Sequence, residues 1–228
     1  MKVSDKWKRG GFVVFFLLLA YLSGNAAAAV QTAIQQPQTK NREEIKQVAI
    51  TFDDGPNPEY TPKLLDGLEK RGVKATFFLL GEEVEQYPDV VRRIHDDGHL
   101  IGVHSYKHVN FKEVGTACVQ QQIEKTQKAI YDVTGEYAGY IRPPYGCWQK
   151  ELDQQINLIE VLWNIDPRDW ATTDADTVVQ RILKDTKPGD IILLHDASES
   201  SVQAAFTVID TLQKQGYSFV TVEELLLE

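Results

Sequence analysis

From Val48 to the carboxyl terminus, short apolar runs alternate strictly with longer amphipathic stretches. The runs are VAITF from Val48, ATFFLL from Ala75, HLIGVH from His99, YIR from Tyr140, LIEVLWNI from Leu158, DIILLH from Asp190 and SFVTV from Ser218. Between them apolar residues recur at helical spacing. Leu64, Leu65 and Leu68 share one face, and Val90, Val91 and Ile94 another. Val119, Ile123, Ile130 and Val133 mark a longer helix, Val178, Val179, Ile182 and Leu183 a fourth, and Val208, Ile209 and Leu212 a fifth. A shorter stretch runs from Leu152 to Ile156. Strands that alternate with helices call for a parallel sheet with crossover helices. Nearly continuous apolar runs suit strands buried on both faces. Seven such units predict an α/β domain built as a closed or nearly closed barrel, with a doubly wound open sheet as the alternative. Either way, functional side chains belong at the carboxyl ends of the strands.

The residues ahead of that pattern are a different material. Lys2, Lys6, Lys8 and Arg9 form a basic head, followed by the apolar run Gly11 to Leu22 and by the alanines Ala26 to Ala29. This order reads as a secretory signal peptide over residues 1–29. The alternative is an uncleaved anchor that takes the alanines for length, since a membrane span needs about 20 apolar residues. No cysteine lies near the expected cleavage site, which argues against a lipoprotein. Residues 30–46, polar and aperiodic, read as a linker, and residues 47–228 as one domain. The net charge of -9 argues against a dedicated nucleic-acid binder, which needs a basic footprint.

Polar residues of catalytic type follow five of the seven runs. Asp53, Asp54 and Gly55 follow the first, and His104 and His108 the third. Arg142, Pro143, Pro144 and Tyr145 follow the fourth, and Asp166, Asp169 and Trp170 the fifth, while the sixth ends in Leu193, Leu194 and His195. The chain has 5 histidines, and three of them fall at these ends. The spacing His104-x-x-x-His108 puts two imidazoles on one face of a helical turn, close enough to share an ion. A carboxylate from Asp53 or Asp54 would complete a His₂Asp set with open positions, the arrangement of a catalytic rather than a structural zinc. Adjacent aspartates at a tight turn point in different directions, so one can bind metal while its neighbour faces the substrate. Each feature alone also has a structural reading: a plain turn, a pair of ordinary histidines, an ion pair, a helix cap. Their coincidence is the signal.

TFDDGP (Thr51–Pro56), HSYKH (His104–His108), RPPYG (Arg142–Gly146), DPRDW (Asp166–Trp170) and LLH (Leu193–His195) resemble, in order and spacing, the five motifs of the polysaccharide deacetylases, carbohydrate esterase family four, with its NodB homology domain. The resemblance spans about Val48 to Glu228. It implies a distorted (β/α)₇ barrel in a single domain and one divalent metal ion, zinc first and cobalt as the alternative. The implied activity is hydrolysis of acetyl groups on carbohydrate. By position it implies Asp53 as general base, Asp54, His104 and His108 as metal ligands, and Arg142 as the group that orients the base. It makes His195 the general acid and Asp166 the carboxylate that tunes it. Tyr145 would hold the oxyanion through its backbone N–H, and Trp170 and Leu193 would wall the acetyl group. Amide hydrolysis needs such a set: a base for water, donors for the oxyanion and a protonated acid for the departing amine.

The expected function is thus removal of N-acetyl groups from an amino-sugar polymer or oligomer, with peptidoglycan or chitin-type N-acetylglucosamine first. The alternatives are an O-acetyl esterase on xylan and a non-catalytic carbohydrate-binding protein on the same fold. The expected partner is a carbohydrate, with no nucleic acid, and the chain is expected to be a monomer. It should be secreted to the cell wall or periplasm, with a membrane involved only if the N-terminal segment stays uncleaved. Val109 stands where many relatives have proline, and Trp148 and Gln149 where an asparagine is common nearby. Trp148 can stack on a sugar or simply cover the barrel. Cys118 and Cys147 are placed toward the same end of adjacent units. They bridge only if their Cα atoms lie within about 7 Å; otherwise they are two buried thiols.

Overall fold

The structure is a computed structural model that describes residues 46–227. The export segment and most of the linker fall outside the described residues. All seven apolar runs form strands: β1 (Lys46–Asp53), β2 (Thr76–Leu79), β3 (Leu100–Val103), β4 (Tyr140–Ile141), β5 (Ile159–Glu160), β6 (Ile191–His195) and β7 (Tyr217–Val220). Every pairing is parallel, as the crossover helices require.

The sheet runs β5-β4-β3-β2-β1-β6. β7 lies off this path, paired with the amino-terminal half of β1, from Lys46 to Ala49. The segment after β5 returns to the other edge, where Ile165 bridges Ile192 of β6. Leu193 N donates to Ile165 O at 2.9 Å there. That single bridge joins the two ends of the sheet, so the seven strands make a distorted (β/α)₇ barrel. The strands do not follow one another in cyclic order.

The helices are α1 (Tyr60–Arg71), α2 (Gly81–Gln86), α3 (Pro88–Asp96), α4 (Thr116–Thr134), α5 (Ala175–Asp185), α6 (Glu199–Lys214) and α7 (Val222–Leu226). The five longer ones are those the periodicity predicts, and they bury the predicted stripes: Leu64, Leu65 and Leu68 on α1, Val178, Val179 and Ile182 on α5, Val208, Ile209 and Leu212 on α6. Their ends carry the expected signals. Asp174 and Ser198 cap α5 and α6 through side-chain oxygens, and Gly72 closes α1 in the left-handed conformation at φ 62°. α1 and α6 pack face to face because Gly67 has no side chain: a Cβ there would lie 2.1 Å from the Phe206 ring.

Burial on both faces holds for β1, β2, β3 and β6. It does not hold for β5, a two-residue strand exposed at the sheet edge, nor for β7, which is half-buried beside β1. The stretch near Leu152 forms a 3₁₀ turn, Lys150–Leu152, rather than an α-helix. Cys118, in the first turn of α4, and Cys147 are free thiols. No helix among the described residues is long and apolar enough to cross a membrane.

Candidate active site

β1 ends at Asp53, which pairs in register with Phe78 of β2 and His195 of β6. The buried Asp53 carboxylate accepts from Arg142 Nη1 at 2.8 Å. Arg142 follows β4 and is fully buried, so every donor must find an acceptor. Nη1 also donates to Thr51 Oγ1 at 2.7 Å, Nε to Val161 O at 3.0 Å and Nη2 to Leu162 O at 3.1 Å. The guanidinium lies 4.2 Å from the Phe78 ring centroid, a favourable cation–π placement.

Asp54 occupies the left-handed region at φ 71°, which turns its side chain away from that of Asp53. Its Oδ1 lies 3.4 Å from His104 Nε2 and 3.3 Å from His108 Nε2. Ligand atoms of these three residues lie within 4.8 Å of one another. His104 donates from Nδ1 to Arg142 O at 2.7 Å, which leaves the Nε2 lone pair facing Asp54. His108 Nδ1 meets Tyr145 Oη at 3.1 Å. One loop, 142–145, thus orients both imidazoles, the outer-shell pattern of histidine ligands. Burial works to raise the Asp54 carboxyl. The electrostatic pull of the neighbouring imidazoles, His104 first and then His108 and His195, prevails and holds it below its usual range. Burial lowers His108 against the pull of Asp54, favouring the neutral imidazole that binds metal. Asp54 Oδ1 is buried with no hydrogen-bond partner. A buried carboxylate oxygen flanked by two imidazole nitrogens is the donor set of a divalent cation, so these residues fit one.

The two histidines do not share a helical turn, contrary to the spacing argument. Residues 104–108 form an irregular loop, with Ser105 at φ 70° and His108 at φ 53°. Gln122 Oε1 on α4 pins the loop by accepting from Tyr106 N at 3.0 Å and Lys107 N at 2.8 Å. Asp54, Ser105, His108, Tyr145 and Arg168 are the non-glycine residues with positive φ among those described. All five lie in the loops that build the site, where such strain commonly collects.

His195 ends β6 and donates from Nδ1 to a carboxylate at 2.9 Å, which belongs to Asp169. Asp166, expected in that place, is turned into its own loop, where Oδ1 accepts from Arg168 N at 2.8 Å. Arg168 at φ 54° then swings Asp169 inward. Buried Asp169 also accepts from His195 N at 2.8 Å and Ser201 Oγ at 2.7 Å. Burial disfavours the imidazolium, but the hydrogen bond and charge of Asp169, with Asp53 and Asp54 nearby, prevail. They push His195 up to about 9. Its Nε2 lies 3.9 Å from Asp54 Oδ2.

These groups open on a cavity of about 460 Å³ lined also by Tyr145, Trp163, Asp166, Trp170 and Leu193. Leu193 is buried in its wall, whereas Trp170 is 67% exposed and stands between this cavity and a neighbouring one of about 710 Å³. That second cavity, lined by Thr172, Thr173, Ser198 and Ser200, shares Asp54 and His195 with the first. Trp148 lines neither. It packs on Phe111 with centroids 6.1 Å apart, and its Nε1 donates to Asp153 at 2.6 Å. Asp169 beside His195, Trp163 in the cavity wall, and Thr51 and Ser201 in the supporting network are functional placements that residue pattern alone does not reveal. The second aspartate of DPRDW was visible as a candidate, and nothing in the motif says which of the two faces inward.

A polysaccharide deacetylase family profile matches residues 40–161. The peptidoglycan-N-acetylglucosamine deacetylase PgdA of Listeria monocytogenes is 39% identical over 194 residues, covering 85% of this chain. The chain spans only 42% of that relative's length. A chitooligosaccharide deacetylase of Rhizobium leguminosarum bv. trifolii is 34% identical over 190 residues, 76% of this chain and 88% of that protein. The solved structure of the peptidoglycan deacetylase PdaC from Bacillus subtilis superposes with a TM-score of 0.78 at 38% identity, covering 80% of this chain and 90% of that one. The barrel and its site define a member of the NodB-type carbohydrate esterases. The chain belongs to the polysaccharide deacetylase family.

Proposed function

We propose that this chain is an exported, metal-dependent N-deacetylase acting on N-acetylglucosamine units of a cell-wall or chitin-type polymer, and that zinc is its metal. One observation carries the reading. The orphaned Asp54 Oδ1 between two imidazole nitrogens opens on the same cavity as Asp53 and His195. The Listeria peptidoglycan-N-acetylglucosamine deacetylase and the Rhizobium chitooligosaccharide deacetylase support the substrate class. The basic head and apolar run of residues 1–29 support export.

When bound by Asp54, His104 and His108, a divalent ion supplies Lewis acidity toward an acetyl carbonyl and makes a neighbouring water more acidic. Asp53 takes the proton of the attacking water. Arg142, with four hydrogen bonds, holds the base in one orientation and keeps a positive charge beside it. The Tyr145 backbone N–H donates to the developing oxyanion. His195, protonated at Nε2 and held from behind by Asp169, gives that proton to the departing amine. Leu193 and Trp170 enclose the acetyl methyl, and the sugar ring attached to the amine extends past His195 toward the hydroxyl-lined cavity.

Incubation with N-acetylglucosamine oligomers, peptidoglycan and acetylxylan, read by mass spectrometry, tests this. Loss of acetyl groups from the amino sugars is expected, with activity abolished by chelation and restored by zinc. Release from acetylxylan alone would turn the reading to an O-acetyl esterase. Full activity after complete demetallation would overturn the mechanism.

A further inference from the structure

Asp196 follows His195, is 1% exposed and belongs neither to the proposed metal ligands nor to the two proton-transfer pairs. Its carboxylate rests directly on the backbone of Gly55, where a Cβ would lie 2.6 Å from Oδ2 and 2.7 Å from Oδ1. The same carboxylate accepts from Thr61 Oγ1, fully buried near the start of α1. Thr61 Oγ1 accepts from Asn57 N at 2.7 Å, so its one proton is committed to Asp196. Asn57 in turn accepts from Glu59 N, Tyr60 N and Thr61 N. On the other side of the turn, Gly55 O accepts from Leu80 N at 3.0 Å.

We propose that Asp196 is a positioning residue that clamps the Asp54–Asn57 turn to the end of β6 and so sets where Asp54 presents its carboxylate to a divalent cation. The inference rests on the reading of Asp54, His104 and His108 as metal ligands. Asp54 holds a left-handed backbone that a non-glycine residue keeps only where its surroundings enforce it. The enforcing contact is the Asp196 carboxylate, seated where Gly55 offers no side chain. A buried carboxylate is an unfavourable way to fill space, and this one touches the turn carrying Asp54 through both Gly55 and Thr61. Because Asp196 is joined to His195, the clamp also fixes the 3.9 Å separation between Asp54 Oδ2 and His195 Nε2.

The test is zinc affinity of the full chain, by competition with a chromophoric chelator, alongside thermal unfolding in excess chelator. Asp196→Ala should weaken zinc binding about tenfold or more, the scale of outer-shell partners. Thr61→Val, which removes only the hydroxyl, should weaken it in the same direction. Asp196→Asn keeps an acceptor for Thr61 and should recover most of the loss. A merely structural role would lower Tm in chelator and leave the affinity of the folded protein unchanged. Zinc bound as tightly by Asp196→Ala as by wild type would overturn the clamp, and if Asp196→Ala does not fold, equal affinity in Thr61→Val does so. Wild-type protein that binds no divalent ion would overturn the metal reading and this inference with it.

Discussion

Asp53 and Asp169 are both buried carboxylates at the mouth of the barrel, yet they face partners of different kinds. Asp53 meets a guanidinium whose charge is permanent. Asp169 meets an imidazole, a group whose charge can switch. The β1–β4 side is therefore a fixed electrostatic frame, locked by Thr51, Val161 and Leu162 around Arg142. The β6 side is a titrating device, with Asp169 setting where it titrates. The difference matches the proposed chemistry. A base that must be ionised at the start of every cycle benefits from a charge that never changes. An acid that must give up a proton and recover it has to switch its own charge, and a fixed carboxylate beside it sets where it does so.

The largest expected effect breaks the fixed side. Asp53→Asn removes the base but keeps shape and hydrogen-bond capacity, so kcat should fall by about 10²–10⁴-fold. Asp54 and both histidines remain, and metal content, measured by inductively coupled plasma analysis, should stay near one ion per chain. Equal loss of metal would mean that the two aspartates have exchanged roles.

The titrating side should respond through pH rather than through metal. His195 is raised from its ordinary value to about 9, so the protonated acid is present below that pH and is lost as pH rises through it. Asp169→Asn removes the hydrogen-bonded charge that opposes burial, and the alkaline limb of kcat should move toward neutrality, with kcat at its maximum reduced about tenfold or more. The same sign holds for stability. A folded-state pKa above the unfolded one contributes stability that is full below about 6.5 and disappears as pH rises through about 9. Loss of Asp169 should therefore flatten the dependence of Tm on pH across that window. An unmoved alkaline limb would show that Asp169 does not govern the proton of His195. Asp166→Asn, whose hydrogen bond is to Arg168 N of its own loop and not to His195, should leave the limb where it is.

That pair of variants also marks where sequence stops being informative. The strands and longer helices were legible because period and apolarity carry them: β1, β2, β3 and β6 are buried runs, and α1, α5 and α6 bury the stripes the spacing predicts. The site was legible as a set of residue types at strand ends. Which atom of which residue faces inward was not. The choice between Asp166 and Asp169 turns on one left-handed residue, Arg168, and the convergence of His104 and His108 on two more, Ser105 and His108 itself. No residue pattern announces a positive φ at serine, histidine or arginine, because the surrounding packing imposes it. β7 was legible as a strand but not in position, since pairing beside β1 is a property of closure and not of the run. Trp148 is equally silent in sequence about its neighbours, which are Phe111 and Asp153.

The smallest expected effect compares the two candidate histidine ligands. His104 is buried and oriented by a main-chain carbonyl, Arg142 O, which side-chain substitution cannot remove. His108 is half-exposed and oriented by the hydroxyl of Tyr145, itself 64% exposed. Tyr145→Phe deletes that hydroxyl and leaves the backbone N–H proposed for the oxyanion in place. Water can reach His108 Nδ1 and take over the hydrogen bond. Zinc affinity should therefore fall by less than the roughly tenfold lower edge for outer-shell partners, with kcat of the zinc-loaded enzyme nearly unchanged. Competition titration with a chelator reads the first and steady-state kinetics at saturating zinc the second. A large drop in kcat with affinity intact would assign the Tyr145 side chain to the reacting group rather than to His108, and would move the boundary between the two sides of the site.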